Sequence, residues 1–158
     1  MKYLESRKYY NQSDKSKAPC ILFWAGSEAP IDVFYNYSGF VTDTLAKEFG
    51  CVVLFAEHRY YGESWPFNDK IKAYNNLKYL SITQVLHDFV NLIDSYKNNN
   101  TDLMDAPVIA FGSSYSGMLS AWLRIKFPNV FAGSVASSAP IRMFKGLVPS
   151  SAYSDHAA

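Results

Sequence analysis

Pro107-Val108-Ile109-Ala110-Phe111-Gly112-Ser113-Ser114-Tyr115-Ser116-Gly117 leads from a short continuous apolar run, through serines and glycines, into Met118 to Phe127, which is apolar nearly all round and stopped by Pro128. A short apolar run bounded by turn residues suits a strand buried on both faces, and the longer segment ending before a proline suits a helix. The stretch is a strand, a tight turn and a helix with Ser114 in the turn. A serine hydroxyl is a weak nucleophile at neutral pH, and such a turn lifts it out of the sheet with room for a base beside it. Tyr115 is next in line, and its N–H, with the positive dipole end of the helix that follows, is placed to hold a developing oxyanion.

Outward from this turn, strands and helices alternate. Ile21 to Gly26 and Cys51 to Ala56 are continuous apolar runs sized for buried strands. Between them Val41, Leu45 and Phe49 recur every four positions, and Gly50 stands where a helix stops. Glu57 to Ser64 reads as a loop and Trp65 to Leu80 as a long aperiodic excursion. Ser81-Ile82-Thr83-Gln84 fits a capping box, and behind it Val85, Phe89, Leu92, Ile93 and Tyr96 form one apolar face. A fourth strand falls near Phe131 to Ala136. This alternation predicts the α/β class: a mostly parallel sheet with helices on both faces and right-handed crossovers.

The 158 residues are 49% hydrophobic and carry a net charge of +1, enough apolar material for one domain and no basic block of the kind a nucleic-acid binder shows. No run approaches the roughly 18 apolar residues of a membrane span. Met1 to Tyr10 carries Lys2, Glu5, Arg7 and Lys8, which does not read as a secretory leader and by itself implies a cytosolic chain. Against this, the sequons at Asn11, Asn36 and Asn99 are candidate glycosylation sites. Cys20 and Cys51 each open an apolar run and read as small buried hydrophobes, with a Cys20–Cys51 disulfide as the alternative.

The serine motif departs from Gly-x-Ser-x-Gly, since position 116 is serine and the next glycine comes one residue later. That adds a hydroxymethyl group where the turn is tightest and predicts strain there. Neither Ser113 nor Ser116 gives a better frame, so Ser114 is the candidate nucleophile. After it the only acid and the only histidine are Asp155 and His156, adjacent near the end and read as terminal surface residues. His58 precedes the nucleophile and, flanked by Glu57 and Arg59, reads as part of a structural network. His87 falls in the capped helix as a surface or satisfied residue. No phosphate loop, dinucleotide fingerprint or metal-ligand spacing is present, and no cofactor or metal is implied.

Glu57-His58-Arg59-Tyr60-Tyr61-Gly62-Glu63-Ser64, then Gly112 to Leu119, and later Ala136-Ser137-Ser138-Ala139-Pro140-Ile141 together resemble the serine carboxypeptidase and dipeptidyl peptidase family that includes lysosomal Pro-X carboxypeptidase and dipeptidyl peptidase II. The likeness runs from about Tyr3 to Leu147. It implies an α/β-hydrolase core with an inserted helical domain, and acyl-enzyme hydrolysis of peptides with proline near a terminus. It also implies a lysosomal or secreted location and a possible homodimer of the complete protein, with no nucleic-acid or membrane partner. In the family the serine motif usually reads Gly-Gly-Ser-Tyr-Gly-Gly, so Ser113 and Ser116 each replace a glycine. The family's Gly-Asn-Glu-Gly after the first buried strand reads Gly26-Ser27-Glu28-Ala29 here, in the loop that supplies the second oxyanion N–H. Glu28 is an exposed turn carboxylate or, by resemblance, a substrate-side group. On the same ground residues 1–158 are the nucleophile-bearing N-terminal part of a hydrolase domain, with the triad's acid and base, the helical insertion and the last core strands outside the chain. Two other readings stay open: another α/β hydrolase such as an esterase, and a non-catalytic descendant that binds peptides or a partner.

Overall fold

The computed structural model describes residues 1–14 and 16–157; the side chains of His156 and Ala157 lie outside the described set. Five strands form one sheet: β1 (Tyr3–Ser6), β2 (Ile21–Ala25), β3 (Val52–Ala56), β4 (Val108–Ser113) and β5 (Gly133–Ser137). Their order is β1-β3-β2-β4-β5, with β1 antiparallel to β3 and the rest parallel.

Alternation along the strands sends side chains to two cores. Ile21, Phe23, Val52, Leu54, Val108 and Ala110 face one side. There they meet α4 (Ile82–Asn99) through Val85, Phe89 and Ile93, and α5 (Tyr115–Lys126) through Leu119 and Leu123. Phe23 sits at the centre with its ring 5.5 Å from Phe89 and 5.6 Å from Phe131. Leu22, Val53, Phe55 and Phe111 face the other side, against α1 (Ile31–Tyr37) and the paired turns Phe40–Leu45 and α2 (Ala46–Phe49). Helices on both faces explain why β2 and β3 read as continuous apolar runs rather than alternating ones. Beyond α2 the second face opens into a groove of about 820 Å3 lined by Leu22, Phe40, Phe49, Ile109, Phe111 and Val135.

The structure corrects the sequence reading in several places. β1 and α1 were not expected. β1 is a half-buried edge strand among charged residues, which leaves little apolar signal, and α1 carries one fully buried residue, Ile31. The helix expected over Val41 to Gly50 opens with a π-helical turn, and Gly50 closes it at φ 67°. The excursion holds α3 (Lys70–Tyr74) between two short 3-10 turns and folds over the 57–64 loop, the Tyr60 hydroxyl donating to Asn76 O. Half of the capping box is made: Ser81 Oγ accepts the Gln84 N–H at 3.3 Å, whereas the Gln84 side chain turns away to accept from Arg59.

The cysteines are joined, not free. Ile21 and Val52 are register partners, so Cys20 and Cys51 stand side by side just ahead of two adjacent strands, with Cα atoms 4.7 Å apart and a disulfide between them. Spacing along the chain carries no information about which strands become neighbours, which is why burial looked the simpler reading. No helix among the described residues is long and apolar enough to cross a membrane.

Candidate active site

β4 runs into α5 with a single residue between them. That residue, Ser114, is exposed and adopts φ 57°, ψ −124°, a conformation non-glycine residues rarely occupy. Two backbone bonds hold it there: Ser114 N–H donates to Ser137 O at the end of β5 (3.0 Å), and Met118 N–H donates to Ser114 O (3.1 Å). Gly112 lets the strand approach the helix, since a Cβ there would overlap the carbonyl of Ser116. Strain of this kind persists only where the surroundings over-determine it, and it is the geometry of a nucleophile elbow. The helix begins three residues earlier than expected, immediately after Ser114.

Ser116 does not strain the turn. It is fully buried, and its hydroxyl oxygen accepts the Ser113 N–H at 2.9 Å, satisfying a donor that the turn would leave unpaired. Four residues on, Ser120 donates to Gly117 O (2.9 Å) and Val135 O (3.2 Å), tying α5 to β5.

Tyr115 is the first residue of α5, where no helical carbonyl lies four residues back to take its N–H. That donor is available beside Ser114. The loop after β2 lies across from it: Gly26 is buried against the backbone of residues 56–58, Ser27 is buried, and Glu28 is exposed with its carboxylate accepting the Ser27 hydroxyl.

His58 joins the two sides. Its Nδ1 lies 2.6 Å from Arg59 O and must donate, because a carbonyl only accepts. Nε2 then accepts the Tyr115 hydroxyl at 3.2 Å. Burial pushes His58 below the ordinary histidine range, which favours this neutral form, while the nearby Glu28 charge pulls in the other direction. Burial raises the Tyr115 phenol to about 12, assisted by the negative charge of Glu28, so the hydroxyl keeps its proton. His58 is thus a structural tether, as its neighbours suggested. Arg59 beside it makes a two-pronged contact with Asp88 (2.6 and 2.7 Å) and donates to Tyr79 O (2.8 Å).

Neither described histidine side chain bonds Ser114: His58 is occupied as above, and the exposed His87 bonds Thr83 O at 2.7 Å. Asp155 lies in the terminal turn α6 (Ser154–Ala157), and the His156 side chain falls outside the described residues. Asn11, Asn36 and Asn99 are all exposed. The sequence reading named Glu57 only as a neighbour in the His58 network; it is fully buried and accepts three hydrogen bonds. Its one signal was an acid placed directly behind an apolar strand.

A mostly parallel sheet with helices on both faces, and a serine held between β4 and its helix, define the α/β-hydrolase fold. Solved structures share the fold. An acylaminoacyl peptidase in complex with Z-Gly-Gly-Phe-chloromethyl ketone superposes with a TM-score of 0.58 at 16% identity, covering 82% of this chain and 20% of that one. A lipase-esterase related protein from Clostridium acetobutylicum gives 0.55 at 14% identity, covering 98% and 54%. By sequence, the family described as Serine carboxypeptidase S28 matches residues 1–154, and the chain belongs to that family. Human lysosomal Pro-X carboxypeptidase is 44% identical over 149 residues, 94% of this chain and 29% of that protein. Prolyl carboxy peptidase like protein 5 of Caenorhabditis elegans is 44% identical over 126 residues, 78% of this chain and 25% of its own length. The chain therefore spans under a third of these relatives.

Proposed function

We propose that these residues form the nucleophile half of a serine exopeptidase that releases a C-terminal residue following proline. The observation that carries this reading is the backbone of Ser114, held at φ 57° on an exposed strand-to-helix turn. Its Oγ attacks the scissile carbonyl and passes its proton to a histidine supplied by polypeptide outside this segment. The Tyr115 N–H and an N–H of the Gly26-Ser27-Glu28 loop hold the resulting oxyanion. Collapse expels the amine, which takes that proton from the histidine, and leaves an acyl-Ser114, which water then hydrolyses. Such acyl transfer needs no cofactor. The relatives named Pro-X carboxypeptidase support the choice of a carboxypeptidase over a dipeptidyl peptidase.

In the native polypeptide carrying these residues, Ser114→Ala should abolish cleavage of a peptide ending in Pro-X and labelling by a fluorophosphonate. Retained cleavage overturns the assignment. Preference for a short-chain ester over the prolyl peptide would instead support an esterase, and absence of both labelling and turnover a binding role. The disulfide fits an oxidising compartment and, with the exposed sequons, supports a lysosomal or secreted location. Glycosidase treatment of the native protein should lower its mass, and Asn→Gln at positions 11, 36 and 99 should remove that shift.

A further inference from the structure

Glu57 follows β3 directly, is completely shielded from solvent and has no described cation at its carboxylate. What it has instead are donors from two separate segments. Oε1 accepts the N–H of Ile31 at 3.1 Å, the first residue of α1 and the point where the Gly26-Ser27-Glu28 loop ends. Oε2 accepts the N–H of Glu63 at 2.9 Å and the hydroxyl of Ser64 at 2.7 Å. Ser64 Oγ in turn accepts the N–H of Lys2 at 2.8 Å, and Glu57 N–H donates to Lys2 O at 3.0 Å, fastening β1 to the same point. Gly62, at φ 55°, allows this closeness, because a Cβ there would overlap the carboxylate.

We propose that Glu57 is a positioning residue that sets the spacing of the two oxyanion donors; this rests on the peptidase reading given above. The elbow donor, Tyr115 N–H, is tethered through its own side chain to His58, next to Glu57. The other donor lies on the loop that Glu57 anchors at Ile31. Both halves of the oxyanion hole are thus referred to one dipeptide at the end of a fully buried strand. A buried carboxylate left with unmatched donors is costly, so the clamp closes in one arrangement. Oxyanion stabilisation depends on donor placement within fractions of an ångström, and losing one donor costs about 100- to 1000-fold in rate.

Glu57→Gln tests this with little change in shape. The amide has one accepting oxygen, and keeping it toward Glu63 and Ser64 points its NH2 at the Ile31 N–H, which frees the loop. In the native polypeptide, with active sites counted by titration, kcat on a Pro-X peptide should fall about 10- to 100-fold while KM changes less than about threefold. A peptide aldehyde, whose hemiacetal oxygen occupies the oxyanion hole, should bind weaker by a similar factor. Equal loss in substrate and aldehyde binding, or an unchanged kcat, overturns the proposal. Should Glu57→Gln fail to yield folded protein, Ser64→Ala decides: a loss of about threefold or more in aldehyde affinity at unchanged KM supports the clamp, and no loss overturns it. Ser114→Ala in the same series keeps the two readings apart, since turnover surviving that change removes the nucleophile, whereas turnover lost there but unaffected by Glu57→Gln removes only the clamp.

Discussion

β3 and β5 are each five residues long and each pairs in parallel with a strand of the sheet's middle, yet they are held by different forces. All five residues of β3 are buried, whereas three of five in β5 are exposed and two of its residues are Gly133 and Ser134. Both strands end at the candidate site. β3 delivers Glu57 and His58 on the strength of apolar burial on both faces. β5 delivers the carbonyl of Ser137 to the N–H of Ser114, and its place depends on backbone pairing with β4 and on the Ser120 hydroxyl. One side of the site is fixed by core packing and the other by hydrogen bonds at the last strand of the described sheet. The two sides should therefore respond differently to the same kind of change.

The largest contrast is expected at Leu54, fully buried in β3. Leu54→Ala should cost about 4 kcal/mol in a denaturant titration, toward the upper part of the range for buried leucine. A cost under about 1 kcal/mol would erase the distinction between the strands. Next comes the disulfide, which joins residues 31 apart just ahead of β2 and β3. Replacing both cysteines with serine should cost about 3.7 kcal/mol by loop entropy. If stability is unchanged, burial alone secures that end of the sheet.

Acid should distinguish the two ends more gently. His58 is neutral and buried in the fold, with its pKa pushed below the ordinary value near 6.5. As pH falls below about 6.5 the unfolded chain takes up this proton before the folded one does, so stability present above that pH is progressively lost. Thermal melts at pH 7 and pH 5 should show the native protein losing more than a His58→Gln variant, and equal losses would assign the acid sensitivity elsewhere. Smallest of all, Val135→Ala on β5, where the side chain is 47% exposed, should shift stability by no more than about 0.5 kcal/mol.

The same contrast accounts for what could be read in advance. β2, β3 and β4 announced themselves as apolar runs because burial on both faces leaves no polar alternation. α4 was legible through its cap at Ser81 and its apolar stripe, and the elbow through small residues between a strand and a helix. β1 was not, because four half-exposed residues with a charge among them look like any surface segment. Gln84 misled for a related reason: a capping glutamine and an arginine ligand are the same residue type, and only the folded chain brings Arg59 within reach.

Sequence by itself determined the class of fold, the place of Ser114 in a strand-to-helix turn and the family, since each rests on short-range pattern: apolar runs, turn residues, contiguous motifs. Tertiary structure alone decided that Cys20 meets Cys51, that Ser116 closes the elbow rather than straining it, and that Glu57 gathers donors from Ile31, Glu63 and Ser64. The cysteine and carboxylate contacts join residues set beside one another by strand order and register. That order is fixed by how the whole sheet buries its two faces, a property no local stretch of sequence contains.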